Sequence, residues 1–390
     1  MNAKTRSRAR GAIVGTAIGD AFGMPVEGLD PATIVGRFGC LRSMVSPRNG
    51  TWAHRTHKLR RGQWTDDTQL MLAIGESIVS KGFLDFGDIA KRHVLCLSDP
   101  RGWGRSTLTG IGRIKAGVSW WNSAAPNGAG NGTPMKIAPL GILLALGRID
   151  RFEACTAVVN ISRMTHGDPR PAVAGMIQME AVAKAITHGV AGLHSVLVAS
   201  QASAEMLEWS LDDRYMPGQE DHVSLASVLG KAVGMAQAGD HLSDIRGAIG
   251  AGCFVVESFP FTVAAVLKHL RDPEVCLTEL AAQGGDADTT CAMAGAMLGA
   301  AHGLSAFPAR WRRPLEGYAR LVAMADGLCG KGSLGQHPSG FGQRPRISFD
   351  RKSIESTSLA NKDPQVVGQG SVNVDTIGSK RNAENGPAGQ

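Results

Sequence analysis

The segment CAMAGAMLGAA, residues 291–301, decides the fold class. Alanine is a strong helix former, and small residues let a second helix pack closely against the first. Two other segments place apolar residues three and four positions apart, the spacing of one helix face. These residues are Leu70, Met71, Ile74 and Ile78 in one segment and Val173, Met176, Ile177 and Val182 in the other. Alternating strand patterns bounded by hairpin turns are scarce, so we predict an all-α fold.

Length and composition fit one large domain or two ordinary ones. The chain has 390 residues, of which 43% are hydrophobic and 19% charged, so it can bury a core. Near residue 333 the composition shifts to Ser, Gly, Asn and Gln, and the apolar periodicity ends. We therefore divide the chain into a basic N-terminal tail (1–10), a helical domain (11–332) and a disordered polar tail (333–390).

The net charge of +7 is confined to the two ends of the chain. Residues 1–10 hold four basic and no acidic residues, and residues 331–390 hold eight basic and five acidic residues. Residues 11–330 therefore carry no net charge. Nucleic-acid-binding domains carry a basic patch on the domain itself, so this pattern argues against nucleic acid as a partner. No apolar run is long enough to predict a membrane span.

The seven cysteines are scattered and contain no CxxC pair. That spacing argues against a zinc knuckle or a redox motif, and it favours free thiols in a reducing compartment. We therefore expect a cytoplasmic protein. We also expect a monomer.

Two acidic clusters stand directly ahead of predicted helices: GQWTDDT (62–68) and GGDADTT (284–290). Either cluster alone is typical of a helix N-terminus, as is THGDP (165–169), because Asp and Thr are favoured caps. Together the first two would bring four carboxylates near one another, and these would repel unless cations lay among them. Oxygen ligands favour Mg²⁺, Mn²⁺ or Ca²⁺ over zinc. The sequence therefore predicts a two-metal site that orients a substrate oxygen and lowers the pKa of a water molecule.

Five motifs in a fixed order resemble those of the ADP-ribosylglycohydrolase family. They are GAIVGTAIGDAFGMPVEG (11–28), GQWTDDTQLMLAIGESI (62–78), GNGTPMKIAPLG (130–141), SRMTHGDPRPAVAG (162–175) and GGDADTTCAMAGAMLGA (284–300). The resemblance spans nearly all of residues 11–311. It implies a compact, orthogonal, all-α multi-helix domain with a dinuclear metal cleft. It also implies two divalent cations, Mg²⁺ or Mn²⁺, as cofactors.

The resemblance further implies a role for each matching residue. The metal ligands would be Thr65, Asp66, Asp67, Asp286, Asp288 and Thr289, with Asp288 bridging the two ions. The catalytic set would be Glu27, Asp66, Asp67 and Asp288, with Glu27 either ligating the second ion or helping to activate water. The substrate-binding set would be Asn131, Gly132, Thr133 and Met135 around the diphosphate and ribose, with His166 and Asp168 lining the ADP-ribose cleft. Two alternatives stay open: His166 as a structural histidine and Asp168 as a helix cap. Asp20 would have a supporting, structural role.

The implied activity is metal-dependent hydrolysis of the glycosidic bond between ADP-ribose and a modified protein side chain, of arginine or serine type. Such a reaction passes through an oxocarbenium-like transition state. Thr133 and Pro134 stand where small residues are usual, and Lys136 stands where Arg is common. The acceptor therefore stays open between an ADP-ribosylated protein and a small molecule that contains ADP-ribose. The alternatives are a hydrolase of another nucleoside-like glycoside and a non-catalytic, crystallin-like or ADP-ribose-binding relative.

Overall fold

The computed structural model describes residues 1–56, 58–215, 223–330 and 334–335, without the side chains of residues 55, 56 and 212–215. Within these ranges the regular structure is helical, and the only β pairing consists of two isolated bridges, Ala125 with His166 and Gly130 with Phe254. The predicted all-α fold is confirmed. The α-helices are α1 (Ala3–Gly23), α2 (Pro31–Phe38), α3 (Trp52–Thr56), α4 (Asp66–Lys81), α5 (Phe86–Cys96), α6 (Arg105–Lys115), α7 (Ala138–Ala145), α8 (Arg151–Ser162), α9 (Arg170–His188), α10 (Val190–Val198), α11 (Ser200–Tyr215), α12 (Leu225–Ala238), α13 (Leu242–Ile249), α14 (Val255–Lys268), α15 (Pro273–Gln283), α16 (Ala287–His302), α17 (Ala309–Arg312) and α18 (Tyr318–Leu328).

Helices α1 and α16 form the centre of the domain. Nearly every residue of α16 is buried, and so is every residue of α1 from Gly11 to Gly23. The two backbones touch at glycine: a Cβ added to Gly15 would lie 2.1 Å from the carbonyl oxygen of Gly295, and one added to Gly19 would lie 1.9 Å from that of Cys291. The small residues that predicted a closely packed helix therefore form its contact with α1. Helices α4, α9, α14 and α15 also pack against α16.

The predicted basic N-terminal tail (1–10) contains the beginning of a helix. Residues 3–10 form the first turns of α1, which the side chain of Asn2 caps by accepting a hydrogen bond from the Thr5 N–H at 2.8 Å. The basic side chains have partners elsewhere in the domain: Arg10 forms a two-bond ion pair with Asp326, at 2.8 and 2.7 Å. These contacts explain why a basic segment is part of the domain. The predicted polar tail (333–390) lies outside the described residues, apart from residues 334 and 335.

No helix in the described ranges combines the length and the apolar character that crossing a membrane requires.

Candidate active site

The carboxylate of Asp20, on α1, fixes the beginning of α4. Its Oδ1 accepts hydrogen bonds from the N–H and the hydroxyl of Thr65, at 2.8 and 2.9 Å. Its Oδ2 accepts from the N–H and the hydroxyl of Thr68, at 3.0 and 2.6 Å. Burial raises the pKa of Asp20 to about 6, although these four hydrogen bonds act in the opposite direction. Asp20 thereby positions Asp66 and Asp67, which lie between the two threonines.

The first of two carboxylate clusters consists of Asp20, Asp67 and Asp288, each with an oxygen within 4.8 Å of the others. The Thr65 hydroxyl lies among them, 3.1 Å from Oδ2 of Asp67 and 3.3 Å from Oδ2 of Asp288. The Thr289 hydroxyl is 3.5 Å from the same oxygen of Asp67. The structure therefore brings Asp288 of α16 beside residues of α1 and α4 that precede it by more than 200 positions.

The second cluster consists of Glu27, Asp286 and Asp288, so Asp288 belongs to both. Gly284 and Gly285 have φ angles of 64° and 66°, which allow the turn that places Asp286 beside Asp288. The Asn131 side-chain amide donates a hydrogen bond to Oδ2 of Asp286 at 2.6 Å. A residue predicted to bind substrate thus orients a predicted metal ligand.

Burial and mutual repulsion dominate the electrostatics of these clusters. The pKa values of Glu27, Asp66, Asp67 and Asp288 are raised well above their ordinary range, first by desolvation and then by neighbouring carboxylates. The pKa of Asp286 is also raised by burial, and the hydrogen bond from Asn131 counteracts that rise. Lys136 is fully buried nearby, and burial lowers its pKa to about 8 against the attraction of Asp66 and Asp67.

The donor set fits hard divalent cations. Two buried carboxylate oxygens, Oδ1 of Asp67 and Oε2 of Glu27, have no hydrogen-bond partner among the described residues. Every candidate ligand in the clusters is an oxygen atom, and one carboxylate is shared between them. Carboxylate-rich oxygen sites are typical of Mg²⁺, Mn²⁺ and Ca²⁺. The acidic clusters can therefore hold metal ions.

A cleft of about 450 Å³ opens over the clusters, and Glu27, Asp66, Asp286, Asp288 and Thr289 contribute to its surface. One wall is the segment that includes Gly130, Asn131, Gly132 and Met135. His166 packs against this wall, because a Cβ at Gly132 would lie 2.7 Å from its Cε1. Burial, with a contribution from the charge of Lys136, lowers the pKa of His166 to about 3, so the imidazole is neutral at physiological pH. The cleft thus has an acidic part and a glycine-rich wall.

Two predicted substrate-binding residues do not line the cleft. Thr133 is fully buried, and its hydroxyl donates to Oγ of Ser162 at 3.0 Å, inside the domain. Asp168 is 2% exposed, and both of its oxygens accept hydrogen bonds from the Arg170 guanidinium, at 2.9 and 2.6 Å. Arg170 in turn lies over the ring of Phe254, 5.0 Å from its centre, and Phe254 lines the cleft. Asp168 therefore reaches the cleft only through Arg170 and Phe254.

Several lining residues were not predicted from the sequence. Cys253 and Phe254 join the cleft because the Cys253 carbonyl accepts a hydrogen bond from the Asn131 N–H at 3.0 Å, beside the bridge between Gly130 and Phe254. Arg105, Ser106 and Thr107 join it from the first turn of α6. None of these residues stands in the five motifs that carry the family resemblance, so that resemblance gave no signal for them.

The profile of the ADP-ribosylglycohydrolase family matches residues 1–337. The chain belongs to the ADP-ribosylglycohydrolase family. It is 28% identical over 310 residues to the ADP-ribosyl-[dinitrogen reductase] glycohydrolase of Rhodospirillum rubrum. The aligned region covers 79% of this chain and 90% of that protein. It is 26% identical over 349 residues to ADP-ribosylhydrolase ARH3 of Homo sapiens, covering 84% of this chain and 94% of that one.

Two further comparisons extend the family resemblance. The chain is 26% identical to the ADP-ribosylarginine hydrolase Tri1 of Pseudomonas putida, covering 78% of this chain and 73% of that protein. A solved structure described as an ADP-ribosylglycohydrolase-related protein complex superposes with a TM-score of 0.60 at 26% identity, covering 84% of this chain and 98% of that chain. The chain therefore has the fold of ADP-ribosylglycohydrolases as well as their sequence motifs.

Proposed function

We propose that this ADP-ribosylglycohydrolase is a metal-dependent hydrolase that cleaves the bond between ADP-ribose and a modified protein side chain, releasing ADP-ribose. The observation that carries the proposal is the pair of carboxylate clusters sharing Asp288 beneath an open cleft. A non-catalytic relative would not need five buried carboxylates and a half-buried one in one place, because each charged group costs free energy to bury. The intact clusters therefore favour catalysis over a binding role.

The proposed ligands of two Mg²⁺ or Mn²⁺ ions are Thr65, Asp66, Asp67, Asp286, Asp288 and Thr289, and Glu27 is a member of the second cluster. When bound, the ions would supply Lewis acidity and positive charge for the sugar oxygens and the attacking water. Asp288 belongs to both clusters, which supports a bridging role. Asp66 lines the cleft but belongs to neither group of three, so we assign it to the cleft side of the site.

Glu27 is the residue we assign to water activation. Its Oε2 has no hydrogen-bond partner among the described residues, and the side chain lines the cleft. Hydrolysis at an anomeric carbon requires a carboxylate that accepts a proton from water as the bond to the leaving group breaks. Glu27 would hold that proton on its free oxygen, while Asp67 and Asp288 stay fixed by their threonine neighbours.

The glycine-rich wall would bind the remainder of ADP-ribose. Gly130 and Gly132 present backbone without side chains, which lets a diphosphate and ribose approach the main chain. Neutral His166 lines the cleft beside this wall, and its Nδ1 lies 2.7 Å from the Thr165 hydroxyl. Met135 adds an apolar contact in the same wall.

We further propose that the protein acts as a cytoplasmic monomer.

The test is release of ADP-ribose from arginine-linked and serine-linked ADP-ribosylated proteins, in Mg²⁺, in Mn²⁺ and in EDTA. We expect release from one linkage in metal and none in EDTA. Asp326→Asn, which changes a surface carboxylate paired with Arg10, is the matched control and should leave the rate unchanged. Release from neither linkage, with ADP-ribose still bound, would point to a different glycoside or a binding role. Release that persists in EDTA would contradict metal dependence.

A further inference from the structure

Lys136 is a buried basic side chain that the function above does not use. It ends the 3₁₀ turn Pro134–Lys136, directly after Met135 of the cleft wall, and it is 0% exposed. Its Nζ has no hydrogen-bond partner among the described residues. Arg170, which is also buried, is instead held by both oxygens of Asp168, at 2.9 and 2.6 Å. A buried ammonium without a partner is costly unless negative charge nearby offsets the cost.

The negative charge that faces Lys136 comes from the first turn of α4. The turn Pro134–Lys136 packs against α4, α9 and α16, and the carboxylates of Asp66 and Asp67 attract the ammonium. Burial lowers the pKa of Lys136 to about 8 against this attraction, so the side chain is mostly charged at pH 7. Burial and neighbouring carboxylates raise the pKa of Asp66, and the charge of Lys136 acts in the opposite direction. Lys136 thus places a positive charge beside the carboxylates of α4.

Two histidines near Lys136 are neutral. Burial lowers the pKa of His93, on α5, well below its ordinary value, and it lowers the pKa of His166 to about 3. The charge of Lys136 lowers the pKa of both imidazoles further. Neither imidazole therefore adds charge of either sign, and the electrostatic partners of Lys136 are the carboxylates of the candidate metal site.

The two carboxylate clusters differ in their relation to this charge. Asp67 belongs to the first cluster, and it is one of the carboxylates that act most strongly on Lys136. In the second cluster, Asp286 is held instead by the Asn131 amide at 2.6 Å. The repulsion between two positive charges falls with the distance between them. Lys136 therefore repels a cation at the first cluster more strongly than a cation at the second.

We propose that Lys136 is a positioning residue that makes the two ions of this site unequal in affinity. The inference rests on the proposed function, because that function supplies the two divalent cations. In the metal-free protein the ammonium offsets part of the repulsion between the buried carboxylates. With cations bound, the same ammonium repels the ion at the first cluster, so the second cluster fills first. Lys136 thereby leaves the ion at the first cluster the more readily exchanged of the two.

The test is the affinity of the full chain for Mn²⁺, measured by equilibrium dialysis at pH 7. We expect two unequal sites in the unaltered chain. Lys136→Met removes the charge but keeps an unbranched side chain, and it should tighten the weaker site about tenfold or more and the tighter site about threefold or less. Lys136→Arg keeps the charge and should hold both affinities within about threefold of the unaltered values. Lys115→Met, which removes an exposed lysine on α6, is the matched control and should change neither affinity.

A further variant and a second measurement complete the design. Asp67→Asn, in the first cluster, should keep the tighter of the two sites. The rise in melting temperature between EDTA and Mn²⁺ should be larger for Lys136→Met than for the unaltered chain, because a tighter ion stabilises the folded state more. Lys136→Gln also removes the charge, and it takes the place of Lys136→Met if that variant does not fold. Circular dichroism verifies the fold of each variant.

The results separate the role of Lys136 from the proposed function. Affinity for two Mn²⁺ that depends on the charge at Lys136, in a protein that releases no ADP-ribose, would support this role and overturn the proposed hydrolysis. Release of ADP-ribose by a chain whose Lys136→Met variant binds both ions as the unaltered chain does would overturn this role alone. Two equal sites in the unaltered chain, equal tightening by Lys136→Arg and Lys136→Met, or loss of the tighter site in Asp67→Asn would also overturn it. A chain that binds no Mn²⁺ would overturn both.

Discussion

Asp20 accepts two hydrogen bonds from Thr65, one from the backbone N–H at 2.8 Å and one from the hydroxyl at 2.9 Å. Its second oxygen accepts two more from Thr68. The central helix α1 thereby fixes the first turn of α4, and with it the carboxylates of Asp66 and Asp67. Each carboxylate oxygen of Asp20 thus accepts two hydrogen bonds from these threonines. We therefore assign Asp20 to orienting the site.

Asp20→Asn should destabilise the protein and lower its activity. Asparagine keeps one acceptor oxygen, but its amide nitrogen cannot accept the two hydrogen bonds from Thr68. Leaving those buried donors without a partner costs about 2–4 kcal/mol in the free energy of unfolding. Urea unfolding with EDTA present measures this cost. Asp30→Asn is the control, because Asp30 caps the exposed start of α2 through Thr33 and its loss should cost about 1 kcal/mol or less. Equal costs for the two variants would contradict this account of Asp20.

Gly19→Ala should be among the most destabilising single methyl additions in the chain. The new Cβ would lie 1.9 Å from the carbonyl oxygen of Cys291, and neither backbone can move without separating α1 from α16. We expect a loss of about 3 kcal/mol or more in the free energy of unfolding, or failure to fold. Gly36→Ala in α2 is the matched control, because nothing lies within 4 Å of its Cβ position. That variant should be neutral or more stable by up to about 1 kcal/mol. A stable Gly19→Ala variant would disprove the close contact.

Thr133→Ala should affect stability and leave ligand affinity unchanged. Its hydroxyl bonds to Ser162 inside the domain, and its methyl group packs near Gly175, at 2.8 Å from the Cβ position there. Removing both groups should cost about 1–2 kcal/mol in unfolding free energy. Calorimetric titration with ADP-ribose should give a dissociation constant within about twofold of the unaltered chain. A larger loss of affinity in a stable variant would restore Thr133 to the substrate-binding set.

His93 should make the protein less stable as pH falls. Burial, together with the charge of Lys136, lowers the pKa of His93 well below its usual 6.5. The unfolded chain therefore takes up a proton below about pH 6.5 that the folded protein does not, and the free energy of unfolding falls. His93→Leu should flatten this dependence between pH 6.5 and 5 by up to about 1.4 kcal/mol per pH unit. Urea unfolding at several pH values tests this, with the exposed His194→Leu as control. An unchanged slope for His93→Leu would contradict the prediction.

The sequence predicted the parts of this protein whose signals are local. The alanine- and glycine-rich segment 291–301 forms most of α16, and the acidic clusters at 62–68 and 284–290 lie at the beginnings of α4 and α16. Helix-start residues and small residues act over a few positions, so a pattern in the chain is enough to find them. Asp288 belongs to both carboxylate clusters, and its role as a bridge between two ions stays a prediction.

What the sequence could not predict depends on contacts between distant segments. Residues 3–10 have the composition of a solvated basic tail, but Asp326, more than 300 positions away, pairs with Arg10. Thr133 stands in a motif of cleft residues, yet the packing of Gly175 and Ser162 turns its side chain inward. Arg105 and Thr107 join the cleft because α6 lies across from residues 128–132. A single sequence does not contain these pairings.

In the proposed two-metal site, one carboxylate, Asp288, serves both ions. Equilibrium dialysis against Mn²⁺, with bound metal counted per chain, tests this most directly. We predict two Mn²⁺ per chain for the unaltered protein and none or one for Asp288→Asn, while Asp326→Asn binds two. An unaltered protein that binds no Mn²⁺, or an Asp288→Asn variant that still binds two with the same affinity, would contradict the account.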